Sequence, residues 1–213
     1  MSQAAKIDDT FAEAFPMRAT RLIITAVDFE LAEIAAREFC GNASSVIGCD
    51  TEAGIEAIVP ADETPDGRPG IAVLAFAFDR KSLEHAVTAR VGQNVLTCPT
   101  TACYSGLRSE ARKDRIKVGS QLRFFGDGFQ FSKKLADRRF WRIPVMDGEF
   151  LAEESTGRCK AVGGGNFLVL AGSQEAALGA CEAAVRAMRQ IPNVVMPFPG
   201  GIVRSGSKVG SKY

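Results

Sequence analysis

The sequence predicts an α+β chain: two βαββαβ lobes with an antiparallel β insertion between them, the second lobe incomplete. Three observations lead there. Three segments share one rhythm: an aliphatic or β-branched run, a polar cap, an amphipathic helical period, then another apolar run. Residues 99–160 break that rhythm into short alternating runs punctuated by glycine. The third segment completes the rhythm only once before Tyr213.

The first segment runs from Arg21–Val27 through a helix over Asp28–Phe39 to a second strand at Ser45–Ile47. Asp28 is the expected N-cap and Gly41 the stop, with Leu31, Ile34, Ala35 and Phe39 on one face. Pro60 and ADETPDGRPG (Ala61–Gly70) then form a surface loop between strands. Ile71–Phe78 leads into a helix over Ser82–Val91, with Leu83, Ala86, Val87 and Val91 inward and Gly92 as its end, and a strand at Asn94–Thr97. His85 falls off that apolar face and is expected in solvent. Residues 1–98 thus form the first lobe, in the order of a ferredoxin-like sheet, with parallel βαβ winding the competing topology.

In the insertion, strands are expected at Gln121–Phe125, Phe129–Phe131, Arg139–Val145 and Glu149–Ala152, with turns at Gly126-Asp127-Gly128 and Asp147-Gly148. Arg108–Lys117 reads as a solvated turn or short helix. From 161 onward come a strand at Asn166–Ala171, a helix capped by Ser173, and a strand from Asn193 to Met196 after Pro192. The helix carries Ala177, Cys181, Ala184, Val185 and Met188 in register. Half a lobe leaves a helix face and a sheet edge uncovered, so the chain is expected to be a fragment.

Composition narrows the function. Of 213 residues 46% are hydrophobic, and 26 basic against 25 acidic side chains give no broad field to draw nucleic acid. The longest apolar run, Ile71–Phe78, is too short to span a bilayer. The N-terminus lacks a basic start followed by an apolar core, so a cytoplasmic location is expected. Six cysteines include no C-x-x-C, and the single histidine has no partner at ligand spacing. The thiols are therefore read as reduced and buried, with no metal site.

Glycine clusters at 126–128, 163–165, 200–201 and 206–210 are the strongest local signal, since glycine permits positive φ and close backbone approach to an anion or oxyanion. Plain turn punctuation is the alternative for each. The Gly201–Lys208 stretch misses the phosphate-loop pattern by an intervening serine, and no G-x-G-x-x-G occurs. Among carboxylates near turns (Asp66, Asp127, Asp147, Glu149, Glu153 and Glu154), Glu149 is the one expected to be half buried. An edge-strand carboxylate without a catalytic role is its other reading.

With these stretches in view, the chain resembles the formylmethanofuran:tetrahydromethanopterin formyltransferases. The likeness rests on DDTFAEAF (Asp8–Phe15), TEAGIE (Thr51–Glu56), ETPDGRPG (Glu63–Gly70), RFFGDG (Arg123–Gly128), IPVMDGEF (Ile143–Phe150), AVGGGNF (Ala161–Phe167) and PFPGGIVRSGSKVGSKY (Pro197–Tyr213). TCPTTACY (Thr97–Tyr104) and WRIPVMDGEF look more like the bacterial methylotroph branch. The resemblance implies two ferredoxin-like lobes with an antiparallel insertion, and a C-terminal segment beyond SGSKVGSKY that completes the second lobe. It implies formyl transfer between two carrier coenzymes, methanofuran and tetrahydromethanopterin, with no permanently bound cofactor. It also implies a homo-oligomer and, in bacteria, further subunits of a formyltransferase/hydrolase complex.

The resemblance places the family's proposed proton-donating glutamate in the segment beyond SGSKVGSKY, so it has no counterpart to carry over here; by their place in loops beside glycines within these stretches, Glu149 and Asp127 are the catalytic candidates. Asn166, Ser205, Ser207 and Lys208 are expected to line the cleft, with Gly164 and Gly201 allowing backbone approach. Arg68 and Arg204 are candidates for anionic groups on the carriers, or simply surface arginines. The alternative of another class is a non-catalytic scaffold or interaction subunit. A small-molecule sensor is a third reading.

Overall fold

An eleven-residue strand, β1 (Phe15–Thr25), is the axis of the sheet, pairing antiparallel with three other strands in a computed structural model. The structure describes residues 5–9, 13–146 and 148–204. Its alternation sends Leu22 and Ile24 to one face and Ile23 and Thr25 to the other. Helix α1 (Phe29–Cys40) follows, and the Asp28 carboxylate accepts the Leu31 N–H at 2.8 Å as the expected cap. The buried face is Ala32, Ala35, Ala36 and Phe39; Ile34, expected inward, is exposed and Leu31 only partly covered. Small alanines let the helix lie close on the sheet while Phe39 fills the gap at its end.

The strand expected at Ser45–Ile47 is instead a turn, in which Gly48 and Cys49 donate their N–H groups to the Ser45 carbonyl. Strand β2 (Glu52–Val59) comes later and pairs with β3 (Gly70–Ala77), which lies between β2 and β1. Helix α2 (Arg80–Arg90), capped by Asp79, buries Leu83, Ala86 and Val87 as expected and leaves His85 exposed. Gly92 does not end the helical path. The chain winds on through a wider π turn at Val91–Val95, where a Cβ on Gly92 would stand 3.0 Å from Leu122. No strand forms at Asn94–Thr97; the fourth strand, β4 (Ala102–Ser105), starts five residues beyond it.

Arg90 closes this layer. Its guanidinium donates to the carbonyls of Phe39 and Gly41 at 2.7 Å and of Asn42 at 3.1 Å, and pairs with Asp50. A cation from α2 thus satisfies the open C-terminal carbonyls of α1.

The next elements are β5 (Arg115–Lys117), a short helical turn α3 (Gly119–Leu122) continued by a 3₁₀ turn at Arg123–Gly126, and the strands β6 (Phe131–Leu135), β7 (Arg138–Val145) and β8 (Gly148–Glu153). The strand expected at Gln121–Phe125 is therefore helical: Leu122 is buried and Phe124 and Phe125 are exposed, a spacing short helical turns share with a strand. The strand expected at Phe129–Phe131 begins only at Phe131. These hairpins do not stand apart. β8 pairs parallel with β4, through Ala102↔Leu151 and Cys103↔Ala152, giving one mixed sheet in the order β2-β3-β1-β4-β8-β7-β6.

β9 (Ser155–Gly157) pairs with β5, and β10 (Cys159–Gly163) runs antiparallel to the first half of β1. Helix α4 (Gln174–Met188) starts on the Ser173 cap, and Ala177, Cys181, Ala184, Val185 and Met188 are its less exposed positions. Neither strand expected around it forms. Phe167, Leu168 and Leu170 are exposed with no strand beside them among the described residues, and an apolar run without a partner strand has no ladder to join. Residues 193–196 pack on the sheet as an irregular segment, with Val195 against Gly54 and the Asn193 N–H on Glu56.

The larger core lies between the sheet and α1 and α2. A smaller one on the other face holds Ile23, Val59, Ala72, Ala102, Tyr104 and Phe140. Among the described residues no helix is long and apolar enough to cross a membrane. Of the six cysteines Cys103 is fully buried, Cys40, Cys49, Cys98 and Cys181 are partly covered, with Cys40 and Cys98 packed on the core, and Cys159 is exposed; none is paired, so the expectation of buried thiols holds in full at one position.

Candidate functional site

Register alone brings one set of loops together. Thr25 at the C-terminal end of β1 stands opposite Gly70 of β3 and Ala102 of β4, and Ala102 opposite Leu151 of β8. Arg68, Thr100 and Glu149 each lie two residues before those positions. They are therefore neighbours at one end of the sheet, although 81 positions separate the first from the last. Asp127 follows the turn whose Gly126 packs on Pro144, the partner of Glu149 in the β7–β8 hairpin, so it belongs to the same end.

The polar centre of this end is Asp66. Its Oδ2 accepts hydrogen bonds from the Thr25 hydroxyl (2.8 Å), the Arg68 Nε (2.8 Å) and the Tyr104 hydroxyl (2.9 Å). Its Oδ1 accepts the Arg68 backbone N–H at 3.3 Å. Burial works against the charged carboxylate, yet the Thr25 hydroxyl, the Arg68 guanidinium and the Tyr104 hydroxyl outweigh it and hold Asp66 below the usual carboxylate range. Burial first, and then the Asp66 charge, push the Tyr104 phenol well above its ordinary value, so it stays a donor. Arg68 is itself anchored: Nη2 donates to the Thr25 hydroxyl at 3.1 Å and Nη1 to the Thr100 carbonyl at 2.5 Å. Thr100 in turn accepts the Val27 N–H on its Oγ1 at 3.2 Å. One carboxylate thus ties together the loops before β3 and β4 and the turn after β1.

The catalytic candidates have a different setting from the one expected. Glu149 is exposed, not half buried, because its position on β8 faces the open side of the hairpin, where it is paired with Arg142. That guanidinium also lies over the Phe131 ring at 4.6 Å. Asp127 is exposed in a left-handed turn, φ 48°. The well-buried carboxylate is Glu153, which accepts the Ser105 backbone N–H at 2.9 Å and two bonds from Arg138. The Glu153 hydrogen bonds raise Arg138 above its ordinary value.

The remaining candidates lie elsewhere. Gly164 and Asn166 follow β10 at the opposite end of β1, where Gly163 faces Phe15. Gly164, at φ 80°, lies so close to the Phe15 ring that a Cβ would come within 2.6 Å of it, and the exposed Asn166 amide donates to the Gly164 carbonyl. This glycine run packs against β1. Gly201, at φ 81°, sits against Val185 of α4 and Met196, and Arg204 is exposed beyond it. Ser205, Ser207 and Lys208 lie outside the described residues, as does the turn residue Asp147.

Sequence reading reached Arg68 through ETPDGRPG but missed Thr25 and Tyr104 as its companions. Only the TCPTTACY stretch hinted at the second, and nothing local marks the first, because both join Asp66 by sheet register.

Family models match the whole span. Residues 1–145 match the model described as formylmethanofuran-tetrahydromethanopterin formyltransferase, and residues 148–213 the model of its proximal lobe. The formylmethanofuran–tetrahydromethanopterin formyltransferase of Methylococcus capsulatus is 60% identical over 97% of this chain and 68% of its own length. The protein of that name from Methanothermobacter thermautotrophicus is 47% identical, over 98% of this chain and 70% of its own. Among solved structures, a chain of the formyltransferase/hydrolase complex FhcABCD of Methylorubrum extorquens, in complex with methylofuran, superposes with a TM-score of 0.91 at 50% identity, over 97% of this chain and 68% of that one. The formyltransferase of Methanosarcina barkeri gives 0.86 at 47% identity, over 96% of this chain and 68% of that one. Matched over both its parts and from bacterial and archaeal relatives alike, this chain belongs to the formylmethanofuran–tetrahydromethanopterin formyltransferase family.

Proposed function

We propose that the chain carries out formyl transfer between formylmethanofuran, or a bacterial analogue of it, and N5 of tetrahydromethanopterin, in cytoplasmic one-carbon metabolism. The observation that carries this reading is the match to the family along both parts of the chain, at 60% identity to a bacterial relative. The N5 lone pair attacks the formyl carbon, a C–N bond forms, and the carbonyl pair moves onto oxygen. The tetrahedral intermediate then collapses, breaking the bond to the furan-side amine, which leaves with a proton.

That chemistry needs two carriers held in contact, a stabilised oxyanion and a path for one proton. The sheet end with Asp66, Arg68 and Thr100 supplies a rigid platform. Glu149 and Asp127, accessible at the same end, are assigned the proton handling. Gly201 and Arg204 are assigned to carrier contacts, as are Ser205, Ser207 and Lys208 from their sequence, which lie outside the described residues; Gly164 and Asn166, at the opposite end of β1, stand apart from this platform. Asp66, held ionised, is no proton donor near neutral pH.

The β2-β3-β1-β4 order, antiparallel with α1 and α2 on one face, supports a ferredoxin-like first lobe, and the match of residues 148–213 to the proximal-lobe model supports reading the C-terminal part as belonging to a second. A homo-oligomer and partner subunits belong to the same reading; the FhcABCD relative supports the latter. The test is to mix purified protein with ¹³C-formyl-labelled formylmethanofuran and tetrahydromethanopterin and follow the formyl carbon by NMR. Transfer of label to the pterin amine is expected. Binding of both carriers without transfer overturns the catalytic reading in favour of a scaffold.

A further inference from the structure

We propose that Asp66, acting through Arg68, is a positioning residue for carrier binding: it holds the 98–101 loop in place beside the end of β8 that carries Glu149. The inference rests on the functional reading above and adds the residues that shape its platform. Thr100 is a β-branched residue at φ 65°, a conformation seldom occupied outside glycine, asparagine and aspartate. Such a residue persists only where its surroundings hold it, and positions of this kind cluster at ligand clamps. Among the holding groups are the Arg68 Nη1 on the Thr100 carbonyl and the Val27 N–H on its hydroxyl. Arg68 cannot swing, because Asp66 takes its Nε and its backbone N–H, and Thr25 its Nη2. Asp66 is fixed in turn by Tyr104, whose ring is buried against Phe140 with centroids 6.2 Å apart. A core aromatic thus sets the orientation of a surface loop through one carboxylate and one guanidinium. With three of its nitrogens engaged inside the protein, Arg68 acts by shaping the loop, which separates it from the exposed Arg204.

The test uses D66N, R68A, the double variant and Y104F in the full chain. KM for each carrier and kcat are measured, together with amide hydrogen exchange of residues 98–102. D66N is expected to raise KM for one carrier about tenfold with kcat changed less, and to speed exchange in the loop. Because Asp66 acts through Arg68, the two substitutions are expected to be non-additive, with D66N added to R68A raising KM less than about twofold further. Y104F keeps the charge and removes one donor; should D66N not fold, it carries the test with a KM rise of about threefold. Unchanged KM for both carriers in a folded variant, or unchanged loop exchange, overturns the inference. Failure of the functional reading shows differently, as wild-type protein that neither binds nor turns over either carrier, and that outcome overturns both.

Discussion

Replacing Arg90 by methionine tests what closes the helical layer. Arg90 is 8% exposed, and its guanidinium makes five hydrogen bonds, three to carbonyls at the end of α1 and two to Asp50. Methionine keeps the apolar stem and removes every donor. The Gly41 and Asn42 carbonyls belong to exposed residues and regain water, whereas Phe39 is fully buried and its carbonyl does not. One dry acceptor costs about 1–3 kcal/mol, and loss of a cation at a helix C-terminus adds about 0.3–1 kcal/mol. R90M is therefore expected to cost about 3 kcal/mol in urea unfolding, or roughly 6–12 °C in Tm for a chain of this size. The Asp50 side chain is 43% exposed, so solvent screens the ion pair and D50N should cost less than about 1 kcal/mol. If D50N matched R90M, the ion pair rather than the capping of carbonyls would be the stabilising contact, and the reasoning would fail.

Other outcomes follow from the same geometry. G164A is expected to destabilise by about 1–3 kcal/mol, read by thermal melting, since it combines a positive φ with a Cβ 2.6 Å from the Phe15 ring. A Cβ on Gly163 would overlap the Met17 sulfur, a flexible neighbour, so G163A should cost less than G164A. Asp66 has a folded pKa below its unfolded one. Its contribution to stability is therefore full above the unfolded value, near pH 4, and is lost as pH falls through the folded value; D66N should flatten the acid limb of a stability profile below about pH 4. Burial pushes the Cys40 and Cys103 thiols up to about 12, while hydrogen bonds from the Ser45 and Ser44 backbones and the Ser44 hydroxyl lower Cys49. A thiol-disulfide reagent at pH 8 should accordingly label Cys49 rapidly and leave Cys40 and Cys103 unmodified in the folded protein, as mass mapping would report.

What could be read in advance was local. Asp28 and Ser173 cap their helices as written in the sequence, and the inward faces of α2 and α4 follow from spacing alone. The errors came where one pattern serves two conformations. Gln121–Phe125 has the apolar spacing of a strand, yet the same spacing fits a tight helical turn that buries Leu122 alone. Gly92 reads as a stop, and here it is the close-approach point that lets Leu122 pack on the helix. The parallel pairing of β4 with β8 joins segments some fifty residues apart and leaves no periodic trace. The candidate site divides the same way. ETPDGRPG carries its chemistry in adjacent residues, whereas the contributions of Thr25 and Tyr104 exist only once β1, β3 and β4 are in register.

The joint between β4 and β8 has a mechanical meaning. Only two residue pairs bridge the strands there, Ala102↔Leu151 and Cys103↔Ala152, and beyond them the Glu153 carboxylate takes over, accepting the Ser105 N–H where a ladder carbonyl would stand. The sheet is thus two antiparallel blocks coupled by a narrow seam whose last bond is made by a side chain held in place by Arg138. What holds the blocks together across the seam is therefore side-chain packing: Phe140 on Tyr104 on one face, and Ile143, Phe150 and Ala152 within the larger core on the other. Neutralising Glu153 should therefore loosen the backbone at Ser105, seen as faster amide exchange there, while the shared cores keep unfolding a single transition.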